Sequence, residues 1–173
     1  RDLLAENGSI YVHCDWRVNS FIRMAMDEIF GRDNFRNELI WHYGQRTEPR
    51  EKQFDRKHDT LLFYVKSDAA KLVVNTQTWT REEFIEHRHD VMVDDQGREY
   101  IVTDGGKGRP RYRRYVEEVI SRGKPLDSVW DIQILNSSAK ERMGYPTQKP
   151  EALIERIIKG SSSEGDLVAD FFC

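Results

Sequence analysis

The stretch YPTQKPEALIERIIKGSSSEGDLVADFFC, residues 145–173, contains the signals that decide the fold of the chain. Pro150 suits the first turn of a helix because its ring fixes φ, and Gly160 is expected to end that helix. A short apolar run at residues 167–171, around Asp170, predicts a strand buried on both faces. Asp170 would then lie at the carboxyl end of a strand, where open α/β sheets bind ligands. The apolar positions that recur at helical spacing are Leu153, Ile154, Ile157 and Ile158.

Residues 139–173 closely resemble the amino-methylating DNA methyltransferases that modify N6 of adenine or N4 of cytosine, including the modification subunits of type III restriction systems. In that family Ala-Lys-Glu-Arg and a YPTQKP box precede a helix, and the next strand ends in Asp-Pro-Phe before a Gly-rich turn that holds S-adenosylmethionine. Here Phe171 stands where the family has proline. The resemblance implies an α/β chain, namely a partial Rossmann-like S-adenosylmethionine-dependent methyltransferase fold with a mixed α+β target-recognition insert.

The resemblance also implies that S-adenosylmethionine is the cofactor and that the box and the strand end bind it. We expect Lys149 and Asp170 to face one cleft at the carboxyl edge of the sheet. The family holds the target amine with an Asp/Asn-Pro-Pro-Tyr/Phe box, which is expected upstream of Arg1, so the catalytic residues are expected outside this chain. The cofactor-binding residues implied are Thr147, Gln148, Lys149, Asp170, Phe171, Phe172 and Cys173.

Composition places the chain among soluble globular proteins. It has 173 residues, of which 38% are hydrophobic and 33% charged, enough for a domain with a core. No apolar run reaches the length of a membrane span, and no secretory signal is visible. Two cysteines give no disulfide framework, and neither CxxC nor HExxH spacing is present, so we predict no metal. The resemblance implies a prokaryotic cytoplasmic protein that associates with the nucleoid when bound to DNA.

The net charge of −3 hides a local basic run. Contact with phosphates depends on such a local patch more than on the total charge. Tyr112 and Tyr115 lie within or next to the run and suit stacking. A solvated, charged helix face remains an equally good interpretation. The basic residues are Lys107, Arg109, Arg111, Arg113 and Arg114.

The amino-terminal part predicts a strand, a helix and a second strand, as in a βαβ unit. Residues 1–7 resemble the end of a helix closed by Gly8, and residues 10–13 form a short strand. Asp15 is expected to cap a helix that Gly31 ends. We interpret His13, Cys14 and Asp15 as a strand end and a helix cap in preference to a catalytic triplet. The predicted apolar stripe of this helix is Val18, Phe21, Ile22, Ala25 and Ile29.

Two further strands, residues 38–43 and 60–66, flank a long polar loop. The resemblance implies that they form the far side of the catalytic sheet, with the loop near the target base. It implies a DNA-binding role for Lys57 and His58. For His58 and Asp59, a turn that caps the strand remains an alternative. The positions that match the family here are Trp41, Lys57, His58, Asp59 and Thr60.

The middle of the chain shows weaker periodicity. Thr80 and Glu83 predict a capped helix over residues 80–89, and Asp95 to Gly97 predict the turn of a hairpin over 91–102. A loop rich in Gly, Lys and Arg is predicted at residues 105–110, followed by a helix and then a strand at residues 128–132. The helix is predicted from Tyr112, Tyr115, Val116 and Val119.

We therefore divide the chain into three parts. Residues 1–67 are the carboxyl-terminal half of the catalytic sheet, residues 68–140 the target-recognition-like insert, and residues 141–173 the cofactor-binding helix and first strand. The function implied is that of a fragment of a site-specific DNA methyltransferase, inactive alone; the alternative is a catalytically dead DNA-binding remnant, which Phe171 favours. The partners implied are duplex DNA with a flipped target base, and a restriction subunit or a second copy.

The missing strand of the base-holding box leads to one structural expectation. The strands at Ile10, Leu39 and Leu62 should form one small sheet. The run at residues 167–171 should lie apart from it, or pair in a way that the complete enzyme would not allow, because its neighbour is missing.

Overall fold

The computed structural model describes residues 1–44, 51–73, 76–86 and 88–171. It divides the chain into two compact units. The first unit comprises Arg1–Val74 and Asp127–Cys173, and the second unit comprises Asn75–Leu126. The second unit lies inside the range 68–140 that the sequence assigns to an insert, with narrower limits at both ends.

The secondary structure comprises nine strands and four α-helices in the described residues, with a short 3₁₀ helix at Arg32–Asn34. The strands are β1 (Ser9–Cys14), β2 (Phe35–His42), β3 (His58–Val65), β4 (Thr76–Gln77), β5 (Met92–Val93), β6 (Glu99–Thr103), β7 (Tyr112–Tyr115), β8 (Lys124–Pro125) and β9 (Val129–Asp131). The helices are α1 (Asn19–Phe30), α2 (Arg81–Glu86), α3 (Val116–Arg122) and α4 (Glu151–Ser161).

The first unit is built on a four-stranded sheet of order β1-β3-β2-β9. Strand β3 is antiparallel to β1 and β2, whereas β9 is parallel to β2. The expected single sheet through Ile10, Leu39 and Leu62 is confirmed. Strands β1 and β2 run in the same direction on either side of β3, so α1 links two parallel strands of one sheet.

Helices cover both faces of this sheet. Alternate residues of a strand point to opposite faces, and in β3 Leu61 and Phe63 belong to the cluster that contains Leu153 of α4. The intervening Leu62 and Tyr64 pack with Met26 and Phe30 of α1. Burying β3 from both sides explains why it reads as a continuous apolar run.

The predictions for residues 1–7 and for Asp15 are wrong. Residues 1–7 form turns instead of a helix. The backbone carbonyl oxygens of Leu4 and Glu6 accept hydrogen bonds from the side chains of Lys66 and Ser67 (2.6 and 2.8 Å). Asp15 does not cap α1, because its Oδ1 accepts from the Arg17 amide (2.9 Å) and the helix begins at Asn19.

The apolar stripe of α1 is also largely on the solvent side. Phe21 is 71% exposed, whereas Met26 and Phe30 are buried. Tyr64 donates to Asp27 Oδ1 (2.6 Å), and this contact turns the Met26 side of the helix towards the sheet. Gly31, with φ of 89°, follows the last helical residue as predicted.

The carboxyl-terminal segment departs from its prediction in two respects. Gly160 lies inside α4, which ends at Ser161. Residues 167–171 form no strand, and Leu167 is 97% exposed. The buried strand is therefore wrong, and the expectation that this run lies apart from the sheet is confirmed. In the described residues the run pairs with neither edge strand of the sheet, and Leu167, Val168 and Phe171 are all exposed.

The second unit is built on an antiparallel sheet of order β5-β6-β7. Its core contains Phe84, Ile101, Val116 and Val119. The predicted hairpin is confirmed, with Gly97 at φ 78° in its turn.

The predictions for the two helices of the second unit have different outcomes. The capping box is confirmed: the Thr80 amide donates to Glu83 Oε2 (2.9 Å), and the Glu83 amide donates to Thr80 Oγ1 (3.2 Å). A helix that includes Tyr112 and Tyr115 is wrong, because both residues pair with β6 and α3 begins at Val116.

Candidate functional site

The box segment is folded by its own side chains. Gln148 accepts a hydrogen bond from the Met143 amide through Oε1 and donates from Nε2 to the Glu141 carbonyl oxygen, both at 2.7 Å. Glu141 Oε2 in turn accepts from the Glu151 amide at the start of α4 (3.0 Å). That amide is one of the helix donors that lack an intrahelical partner. The amide of Gln148 therefore shapes the site and fixes the approach to α4.

Box residues Tyr145–Pro150 form one wall of a cleft of about 230 Å³. The opposite wall comes from the sheet, where His13 and Trp41 are the last residues but one of β1 and β2, and Asp59 is the second residue of β3. The sheet register explains this gathering, because Trp41 pairs with Asp59 on the α4 face. Trp41 is held by its indole N–H, which donates to the Ile132 carbonyl oxygen (2.7 Å).

A histidine–aspartate pair lies in the sheet wall. His13 Nε2 is 3.0 Å from Asp59 Oδ2, and the Tyr43 hydroxyl donates to Asp59 Oδ1 (3.4 Å). A carboxylate only accepts, so the Nε2–H donates and Asp59 fixes the tautomer of the ring. Burial lowers the pKa of His13 below its usual range; the hydrogen bond to Asp59 opposes this shift, and the charge of Lys149 adds to it. The imidazole is therefore neutral at neutral pH.

Two cationic side chains, Lys149 and Arg142, line the same cleft. Lys149 Nζ donates to the Thr147 carbonyl oxygen (2.7 Å), which holds the ammonium group beside the box. Among the described lining residues the two cations outnumber the one carboxylate, Asp59, so the cleft suits a ligand that carries an anionic group such as a carboxylate.

The cofactor residues predicted from the sequence separate into two groups. Thr147, Gln148 and Lys149 line the cleft. Asp170 and Phe171 are exposed and are not among the described residues that line it. Phe172 and Cys173 lie outside the described residues. The structure therefore brings together the box but not the carboxyl-terminal run.

The predicted DNA-binding residues lie in both units. Lys57 is half-buried, and its carbonyl oxygen accepts from the Tyr43 amide (2.8 Å). His58 is exposed and pairs in register with His42, so its side chain lies on the α1 face, away from Asp59. In the second unit Lys107, Arg109, Arg111 and Arg113 are exposed, and Arg114 is half-buried.

Sequence reasoning missed the His13–Asp59 pair as a site feature. The two residues are 46 positions apart, and no local spacing connects them. Only the strand register brings them together. Cys14, in contrast, is buried, and burial raises its pKa to about 11.

The described ranges contain no group of three or more His, Cys, Asp or Glu side chains placed to hold a metal ion. Among the helices that the structure describes, none has both the length and the apolar character needed to cross a bilayer.

A cleft between a family-specific box and the edge of a mixed sheet indicates a ligand-binding α/β protein. Comparison with known proteins identifies the family: the DNA methylase model of the N6/N4 type matches residues 1–173, and the chain belongs to that family.

Individual relatives support the same assignment. The chain is 27% identical over 170 residues to the type II methyltransferase M.HpaI of Haemophilus parainfluenzae, covering 98% of this chain and 44% of the relative. It is 26% identical over 170 residues to the DNA adenine methyltransferase YhdJ of Escherichia coli, covering 98% of this chain and 50% of the relative. The EcoP15I Mod subunit, from a type III restriction-modification enzyme of Escherichia coli, is 27% identical over 131 residues, 61% of this chain and 20% of that subunit. The chain thus spans about half the length of the first two relatives.

Proposed function

We propose that this chain is part of a site-specific DNA methyltransferase that moves a methyl group from S-adenosylmethionine to the exocyclic amine of adenine (N6) or cytosine (N4). The observation that carries the proposal is the cleft between Tyr145–Pro150 and the sheet edge. One wall of the cleft is the box, which the resemblance places next to the cofactor. The family match over the whole chain and a relative named as a DNA adenine methyltransferase support it.

We assign part of the cofactor site to the cleft. S-adenosylmethionine supplies the methyl group from a sulfonium centre. Ligand pockets usually measure about 300–1,000 Å³, so a cleft of about 230 Å³ accommodates part of such a molecule. The cationic groups of Lys149 and Arg142 are suited to bind a carboxylate, and Thr147 offers a hydroxyl at the rim. Gln148 acts indirectly, because its amide holds the segment around Met143. Binding by Asp170 to Cys173 stays a prediction.

The neutral His13 would keep a second cation away from a positively charged sulfonium. Burial and Lys149 lower its pKa, and Asp59 holds its orientation. A protonated ring there would add positive charge to a cleft that already has Lys149 in its opposite wall. Asp59 therefore orients the His13 ring, and the neutral ring limits the positive charge in the cleft.

We propose duplex DNA as the substrate and the exposed residues of the basic run in the second unit, Lys107, Arg109, Arg111 and Arg113, as a contact to its backbone. Phosphate contact from arginine and lysine supplies affinity that does not depend on sequence. Lys57 and His58 are a second proposed contact. A restriction subunit or a second copy of the chain is a proposed partner, because one relative is a Mod subunit.

The test of the cofactor proposal is isothermal titration calorimetry of the 173-residue chain with S-adenosylmethionine. We expect Lys149→Met to weaken binding by about 10-fold or more, because hydrogen bonds to charged groups contribute about 1.5–3 kcal/mol. Lys159→Met is the matched control, since Lys159 lies on α4, pairs with Glu155 and does not line the cleft. Circular dichroism checks that both variants keep the fold.

Equal affinities of Lys149→Met and the unaltered chain would exclude Lys149 from the site. Binding of DNA without any binding of S-adenosylmethionine would favour the catalytically dead remnant over the enzyme.

A further inference from the structure

The two faces of the sheet in the second unit differ in what covers them. Ile101 of β6 is buried in the cluster with Phe84 and Val119. Side chains of directly paired residues in an antiparallel sheet share a face, and Ile101 pairs with Arg114. The side chain of Arg114 therefore leaves the strand on the covered face of the sheet.

The outer face is the opposite surface of the same strands. Val102 pairs with Arg113, and Tyr100 pairs with both Met92 and Tyr115. None of these residues belongs to the core cluster of the second unit in the part of the chain that the structure describes. We define the outer face as Met92, Tyr100, Val102, Arg113 and Tyr115.

Two arginines are stacked on tyrosines of the outer face. Arg113 Cζ is 4.6 Å from the centre of the Tyr100 ring, and Arg98 Cζ is 4.0 Å from the centre of the Tyr115 ring. The two rings meet edge to face with centroids 6.3 Å apart. A guanidinium stacked on a ring is restricted in orientation while the N–H groups in its plane remain available for a phosphate.

The charge of the outer face is positive. Asp94 contacts this face: its Oδ2 lies 3.1 Å from the guanidinium of Arg98 and accepts from the Tyr115 hydroxyl (3.2 Å). This acid partly neutralises Arg98. Among the described residues, no carboxylate forms an ion pair with Arg113.

The positive surface continues beyond the strands. The chain that enters β7 carries exposed Lys107, Arg109 and Arg111. Lys107 has φ of 47° between two glycines that also have positive φ, so this loop is a tight backbone turn. The loop leads directly into β7 on the same unit, and the outer face together with this loop is called the strip.

We propose that the outer face lies along the phosphate backbone of double-stranded DNA, and that Arg113, with Arg98 beside it, contacts phosphates whereas Arg114 does not. The proposal rests on the function proposed above. DNA is the proposed occupant because its phosphates are negatively charged, whereas the strip carries exposed arginines and lysines. The tyrosines position the arginines.

The neighbours Arg113 and Arg114 allow a direct test, because they differ by one position and by sheet face. Fluorescence anisotropy would measure binding of the 173-residue chain to a duplex of arbitrary sequence over a series of salt concentrations. We expect Arg113→Ala to lower the magnitude of the slope of log K against log salt concentration by about 0.9, the value for one lost phosphate contact. Arg114→Ala is expected to leave the slope unchanged.

A second variant separates charge from structure. Arg113→Lys keeps the charge, so we expect the slope of the unaltered chain to be retained. Circular dichroism melts of all three variants detect any loss of the fold.

Equal slope changes in Arg113→Ala and Arg114→Ala would overturn the assignment of faces while leaving DNA as the substrate. No slope change in either variant, with DNA binding intact, would exclude the outer face and favour a protein as its occupant. No binding of DNA by the unaltered chain would overturn both DNA proposals. The calorimetric titration with S-adenosylmethionine tests the cofactor cleft separately.

Discussion

The two units use their sheets in different ways. In the first unit helices cover both faces of the sheet, and polar residues near the carboxyl end of β1 and the start of β3 line the candidate cleft. In the second unit one face of the sheet is covered and the other carries arginines stacked on tyrosines. Burying both faces restricts binding to an edge, whereas burying one face leaves a broad surface for a large partner.

The largest expected effect is a loss of stability when the packing on the covered sheet of the first unit is reduced, compared with the same kind of change on the outer face of the second unit. Leu153 of α4 is 1% exposed, and Leu153→Ala removes a side chain that packs on the first sheet. We expect a loss of about 2–5 kcal/mol in the free energy of unfolding, measured in urea. Val102→Ala on the outer face should change it by at most about 0.5 kcal/mol. Similar losses for the two variants would show that the outer face is covered.

A smaller effect is expected at the cap of α2 in the second unit. Thr80→Ala removes the side-chain acceptor for the Glu83 amide. We expect a loss of about 0.5–2 kcal/mol in the free energy of unfolding. Glu83→Gln is the matched control, because glutamine at this position of a capping box also returns a bond to the Thr80 amide. If thermal melts showed Glu83→Gln to be less stable than Thr80→Ala, the two reciprocal hydrogen bonds would be contradicted.

The smallest effect is a pH dependence that belongs to the first unit. The pKa of His13 is lowered in the folded chain from its usual 6.5. The unfolded chain therefore binds more protons below pH 6.5, and stability falls as the pH drops from 6.5 through the folded pKa. Urea unfolding at pH 7.5 and at lower pH should show this loss, and His13→Gln should reduce it. The same pH dependence in His13→Gln would exclude His13 as its source.

Local signals predicted the elements that depend on neighbouring residues. The capping box was read from the three-residue spacing of Thr80 and Glu83, and α4 from the apolar repeat after Pro150. The strands around Leu39 and Leu62 followed from short apolar runs, and the structure places them within one or a few residues of the prediction.

Features that depend on distant partners were missed. The buried side of α1 depends on the hydrogen bond that Tyr64 donates to Asp27, a residue 37 positions away in the chain. Likewise, Tyr112 and Tyr115 had a helical spacing, but pairing with β6 makes them a strand. The run at residues 167–171 has the composition of a buried strand, yet a strand needs a neighbour, and the described sheet offers it none.

The central claim is that Tyr145–Pro150 and the His13–Asp59 pair form one cofactor cleft. A ¹H–¹⁵N correlation spectrum of the 173-residue chain, recorded during titration with S-adenosylmethionine, tests it most directly. The account predicts chemical-shift changes at the amides of Thr147, Gln148, Lys149 and His13 and at the Trp41 indole N–H, with the amides of Asn75–Leu126 unchanged. Changes concentrated in Asn75–Leu126, or none at saturating cofactor, would contradict it.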